Sequence, residues 1–184
     1  NIFKKIVIFK SNKKFYLVGI SYKNADLETR GRFNLNRTLS SQLLKRGQEK
    51  NFDDLFVLST CNRTEVYAVA NNSNELIDLL CENSLGSKKV LKKLGYVMEN
   101  QKAINHLFRV GAGLDSQILG DFEIIAQLNN SYLMSKKLKA INPAFNRLFN
   151  MVKHASKRIK NETKISSGAT SVSYAAVRYI LDNV

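Results

Sequence analysis

Two apolar runs, DLFVLST (54–60) and EVYAVA (65–70), are separated by only the four residues CNRT. β-branched and aromatic residues dominate both, so they read as two strands joined by a short turn, a hairpin-like pair. That pair constrains everything around it. A third run, FYLVGIS (15–21), is equally strand-like, and LGYVM (94–98) is a weaker fourth. Between the first strand and the pair, Leu35, Leu39 and Leu43 recur every four residues and Gly47 follows, which predicts an amphipathic helix with its stop at Gly47. After the pair, Ser73 or Asn74 is expected to cap a helix carrying Leu76, Ile77, Leu80 and Cys81 on one face. The order βαββαβ predicts an α+β fold, a ferredoxin-like antiparallel sheet with both helices on one face.

From about residue 100 the pattern is helical. Ala103, Ile104, Leu107 and Phe108 form one stripe, and two glycines in GAGLDS interrupt it. A long helix is expected over 117–139, with Ile118, Phe122, Ile125 and Tyr132 near one side. Asn142 and Pro143 open the next helix, whose buried face is expected to hold Phe145, Leu148, Phe149, Val152 and Ile159. SSGATS reads as a loop and SVSYAAVRYILDN as the start of another helix. The expected division is 1–100 for the ferredoxin-like part, 101–165 for a helical part and 166–184 for a connection onward. An Asn at position 1 and a last residue inside an apolar-periodic segment suggest a piece of a longer chain.

Hydrophobic residues make up 44% of the 184, enough for a real core. Lys and Arg outnumber Asp and Glu by 29 to 15, a formal charge of +14, which points to a polyanionic partner, nucleic acid first. Nine of the basic residues fall in 136–164 against a single acid, Glu162, as phosphate contacts would require. The strands lack the aromatic pattern used for base stacking, so contact with RNA would be to backbone and shape. No apolar stretch reaches the length of a membrane span, and the lysine-studded N-terminus lacks the features of a signal peptide. No G-x-G-x-x-G follows a strand anywhere.

The two cysteines, Cys61 and Cys81, give neither a disulfide framework nor a zinc pattern, which fits a reducing, cytoplasmic compartment. Cys81 lies on an apolar stripe and reads as a small buried hydrophobe. Cys61 lies among Thr60, Asn62, Arg63 and Thr64, where an adjacent guanidinium favours the nucleophilic thiolate. His106 lies about 200° around its helix from Ile104, off the apolar stripe, which leaves a surface residue or a proton-transfer group in a cleft. His154 falls in a basic stretch, with a solvated or RNA-facing role.

LSTCNRTEVY (58–67) and HLFRVGAGLDSQILGD (106–121) closely resemble two signature segments of the glutamyl-tRNA reductase family. GISYKNA (19–25) resembles an early Gly-Ile-Asn-His-Lys-Thr-Ala segment of that family, and 157–177 resembles the stretch leading into its NADPH-binding domain. The resemblance implies a cytoplasmic enzyme of tetrapyrrole synthesis. A cysteine thiolate attacks the ester of glutamyl-tRNA, and the thioester is reduced by NADPH to glutamate-1-semialdehyde. It places the catalytic cysteine on Cys61 and the family's important histidine on His106. Arg63 would pair with a glutamate carboxylate. Thr60, Asn62, Ser116, Asp121, Phe122, Glu123 and Gln127 fall on substrate positions. Phe122 and Glu123 depart from the usual proline and glutamine, and Tyr22 stands where a histidine is usual. The resemblance also implies a homodimer, an NADPH site in a later domain, and a downstream aminomutase as a possible partner. Without that domain the chain is expected to hydrolyse glutamyl-tRNA weakly at most. Two other readings compete, a non-catalytic tRNA-binding module and an unrelated cysteine hydrolase or acyltransferase. The hydrolase lacks a clear Cys-His-Asn order.

Overall fold

A computed structural model describes residues 13–163, together with Ile165, Val177, 179–181 and Asn183. The loop expected over 166–171, and much of the helix expected over 171–183 and of the connection expected over 166–184, lie outside the described residues.

Four strands, β1 (Lys14–Ser21), β2 (Asp53–Ser59), β3 (Arg63–Ala70) and β4 (Tyr96–Glu99), form one sheet in the order β2-β3-β1-β4. All neighbours are antiparallel, so the ferredoxin-like α+β expectation holds. Both expected helices form, and each connection holds one helix more than expected. The first connection holds α1 (Leu27–Phe33) and α2 (Arg37–Glu49), and the second holds α3 (Ser73–Glu82) and α4 (Lys88–Leu94). Asn72, not Ser73 or Asn74, caps α3, its side chain accepting from the Glu75 amide. Gly47 does not stop α2. It lies inside the helix, where a Cβ would come within 2.2 Å of Leu55 Cδ2, so its lack of a side chain serves close packing on β2.

Alternation along the strands sends residues to two faces, and both are buried. Tyr16, Val18, Ile20, Val57, Val66 and Ala68 pack against α1–α4. Phe15, Leu17, Phe56, Leu58, Tyr67 and Val69 pack against the later helices. Those are α5 (Gln101–Gly111), α6 (Glu123–Lys137) and α7 (Pro143–Glu162). Phe145 and Phe149 of α7 stack into an aromatic cluster with Phe56 and Tyr132.

The helix expected over 117–139 begins only at Glu123. Gly113 and Gly120 take positive φ, and the Gly120 amide bonds the Gly113 carbonyl, folding 113–122 into a compact loop. A Cβ on Gly113 would lie 2.9 Å from the Asp121 carbonyl oxygen, so the loop closes only over a glycine. Ile118 and Phe122 therefore belong to this loop, not to a helical stripe. Ile159 is only half-buried on α7, short of the buried face expected for it.

Candidate active site

The turn between β2 and β3 is built by Thr60. Its amide donates to the Arg63 carbonyl at 2.8 Å, and its hydroxyl accepts from the amides of Asn62 and Arg63, both at 3.2 Å. These bonds consume the polar groups of the turn and leave Cys61 exposed at its tip. From α1, Arg30 Nε donates to the Cys61 carbonyl at 3.3 Å. Tyr22, the residue after β1, braces the turn. Its amide donates to the Asn62 carbonyl at 2.9 Å and its hydroxyl to the Ser116 carbonyl at 3.1 Å, tying the hairpin to the 113–122 loop.

Arg63, Glu65 and Tyr67 alternate along β3 and so share the face covered by α5–α7. Glu65 is fully buried and accepts four bonds. Tyr67 Oη donates at 2.6 Å, Tyr96 Oη at 2.5 Å, Arg63 Nη1 at 3.0 Å and His106 Nε2 at 2.7 Å. Burial alone would push this carboxyl up, but the His106 bond and the His106 and Arg63 charges outweigh it and hold Glu65 down at about 2. Burial, with the Glu65 charge beside them, pushes Tyr67 and Tyr96 well above the usual phenol range, so both stay protonated donors.

Asp115 closes the other side. Its carboxylate takes Lys23 Nζ on one oxygen and Arg63 Nη1 at 3.2 Å on the other, while its carbonyl accepts from Arg63 Nη2. Burial opposes its ionisation, and the Lys23 bond and Arg63 charge prevail, lowering it below the ordinary aspartate value. The Arg63 guanidinium is 2% exposed and fully engaged between Glu65 and Asp115. With donors on both carboxylates and on the Asp115 carbonyl, it is the keystone of a buried charge network, the hub of the site.

His106 is 8% exposed and faces a cleft, the second of the two positions expected for it, and not the surface. A residue off the stripe is buried here because β4 and the 113–122 loop cover that side of α5. Glu65, a carboxylate, can only accept, so His106 Nε2 carries the proton and Nδ1 is left for a ligand. His106 and Asp115 also line a cleft of about 570 Å³ that opens between β4, α5 and the end of β1.

The expected site residues thus fall into two groups. Thr60, Cys61, Asn62, Arg63 and Ser116 come together with His106 through Tyr22, Glu65 and Asp115. Asp121, Phe122, Glu123 and Gln127 cluster at the start of α6. Asp121 caps the Glu123 amide at 2.9 Å, Lys160 lies 5.4 Å over the Phe122 ring, and Glu123 and Gln127 are exposed. Among the described residues, none of these four hydrogen-bonds to the hairpin or the hub. Sequence reasoning missed Glu65, Tyr67, Tyr96, Lys23 and Asp115. The available signal was a carboxylate inside an apolar strand, two residues from an arginine.

The fold and site define an α+β domain of ferredoxin-like topology, covered by a second helical layer. One exposed thiol stands at a sheet-end turn beside a buried Arg–Glu–His–Asp network. The profile of the glutamyl-tRNAGlu reductase N-terminal domain matches residues 18–163. The glutamyl-tRNA reductase of Christiangramia forsetii is 53% identical over 172 residues, covering 94% of this chain and 41% of that protein. That of Acinetobacter baumannii is 36% identical over 170 residues, covering 91% and 39%. The solved glutamyl-tRNA reductase of Methanopyrus kandleri superposes with a TM-score of 0.74 at 29% identity, over 90% of this chain and 39% of that one. The chain belongs to the glutamyl-tRNA reductase family and spans about two fifths of the length of these relatives.

Proposed function

We propose that this domain carries out the acyl-transfer half of glutamyl-tRNA reduction, with Cys61 as nucleophile. The observation that supports it most is the exposed Cys61 on a turn that Tyr22 ties to the 113–122 loop, whose Asp115 shares Arg63 with the Glu65–His106 pair. The Cys61 thiolate attacks the ester carbonyl carbon, the new C–S bond forms, and the C–O bond to the terminal ribose breaks. The ribose oxygen takes up one proton, equal to the one the thiol has lost. His106, fixed in one tautomer by Glu65, passes that proton or orients the leaving oxygen. A thiol suits the step because its acyl form remains an activated carbonyl. Thr60, Asn62 and Ser116 surround the acyl group, and Asp121, Phe122, Glu123 and Gln127 act farther along the substrate.

Arg63 serves this reaction through the hub. Its guanidinium holds Glu65 and Asp115 ionised, and the substrate carboxylate would meet a network that is already positively balanced by Lys23 and Arg109.

The family's reductant is NADPH, and the described residues do not fit a dinucleotide. The one glycine-rich stretch, 111–120, follows a helix and presents Asp115, whose charge opposes a pyrophosphate. The cofactor site, dimer contacts and any aminomutase contact are assigned to the remaining length of the relatives, in cytoplasmic tetrapyrrole synthesis.

The competing reading, a non-catalytic tRNA-binding module, draws on the basic face of α7. Incubation with glutamyl-tRNA, an acid quench and an intact-protein mass spectrum separate the two. A glutamyl adduct on the wild type and none on Cys61→Ser supports acyl transfer. An unmodified wild type that also leaves glutamyl-tRNA intact, while binding it as tightly as Cys61→Ser does, supports the module.

A further inference from the structure

We propose that the groove between α2, α6 and the outer edge of β2 docks an extended, acidic polypeptide segment, which adds to the sheet beside β2. β2 is an outer strand of the sheet. The Thr60 amide bonds the Arg63 carbonyl, and bonded pairs alternate along an antiparallel ladder. Phe56 and Leu58 therefore bond β3, and the amides and carbonyls of Leu55, Val57 and Ser59 point out of the sheet. The Leu55 amide is already taken, by the Ala140 carbonyl at 2.8 Å. Among the described residues nothing bonds the outward groups of Val57 or Ser59, although Val57 is only 4% exposed. Buried backbone groups are almost always paired, so this stretch of edge calls for a partner strand.

Beside that edge lies a groove of about 690 Å³, room for a short segment of chain. Leu35, Val57 and Met134 give it an apolar lining, and Ser41, Ser59 and Ser131 a polar one. Arg37 from α2 and Lys137 from α6 line it too, both exposed, and no Asp or Glu does. Neither cation pairs with a carboxylate among the described residues. Two cations without a counter-charge select an acidic segment, and an unpaired strand edge selects an extended one. The first ten residues of this chain do not suit, since they carry Lys4, Lys5 and Lys10 and no acid. RNA would answer the cations, but it has no alternating N–H and C=O groups to pair with the edge.

The test is a titration of the chain with the synthetic peptide acetyl-Glu-Val-Glu-Val-Glu-Val-Glu-amide. Hydrogen exchange at the Val57 and Ser59 amides and the methyl signal of Met134 follow it. Met98 does not line the groove, so its methyl is the control and also reports that a variant is folded. The peptide should slow exchange at both amides and shift Met134 while leaving Met98 in place. The same peptide with lysine in place of glutamate should not saturate over that range. Arg37→Glu with Lys137→Glu should weaken the acidic peptide roughly tenfold or more and admit the lysine one. Methylating the peptide's amide nitrogens should abolish the protection, because an added strand binds through its backbone. The proposal is overturned if the acidic peptide changes neither readout, or if its methylated form or the charge-reversed variant binds as well. Protection of the same amides by oligouridylate would also overturn it and assign the groove to RNA.

Discussion

Glu65 and Tyr96 meet across Gly19. Glu65 on β3 and Tyr96 on β4 both pair with Gly19 of the central strand β1, and the Tyr96 hydroxyl reaches over it to Glu65 Oε1 at 2.5 Å. Only a residue without a side chain permits this. A Cβ on Gly19 would lie 2.9 Å from Glu65 Cγ and 3.0 Å from the Tyr96 ring. Gly19→Ala should therefore part the pair and destabilise the domain by about 1–3 kcal/mol. The fall in the urea midpoint measures it, and Gly31→Ala, with nothing near its Cβ, is the control.

Acid should act through Glu65. Its folded pKa of about 2 lies below its ordinary value of 4.5. A depressed carboxyl stabilises the fold above the unfolded value, and that stability drains away as pH falls from about 4.5 towards 2. The contribution is on the order of 3 kcal/mol. Glu65→Gln removes this part of the slope, so its unfolding free energy should fall less steeply below pH 4.5 than the wild type's. Equal slopes would assign acid sensitivity to Asp115 or elsewhere.

Removing Arg63 leaves two buried carboxylates short of a partner. Arg63→Met should cost about 3–5 kcal/mol, because Glu65 and Asp115 lose the charge between them. Arg63→Lys should recover only part, since a single ammonium cannot reach both carboxylates and the Asp115 carbonyl as the planar fork does. Thermal unfolding of the two variants checks the order.

The two thiols should behave oppositely. Cys61 is exposed, while burial pushes the Cys81 thiol up. Iodoacetamide near pH 8 should label Cys61 first, as peptide mapping would show. Cys61→Ser should change stability by no more than about 0.5 kcal/mol while abolishing the glutamyl adduct. Faster labelling of Cys81 would mean that the Cys61 tip is shielded in solution.

The sheet was legible because its signals are local. Period-two runs, a four-residue gap and the helical stripes between strands suffice to specify βαββαβ, and polar neighbours in one turn singled out Cys61. Gly47 was misread for want of a partner. A helix stop and a helix glycine under a leucine look alike until Leu55 of another element arrives above it. The same holds for 113–122: Gly113 read as part of a simple interruption and Gly120 as part of a helix, and together they close a loop that delivers Asp115 to Arg63.

By itself, the sequence determined the strand and helix order, the lone polar cysteine and the basic excess, since propensity, periodicity and charge are properties of neighbours along the chain. Only the tertiary structure decided the hub. Glu65 lies 41 residues from His106, and Arg63 lies 52 from Asp115. Whether a carboxylate inside a strand is a fault or a centre depends on the donors that fold around it. Those donors meet only when α5, β4 and the 113–122 loop close over one face of the sheet.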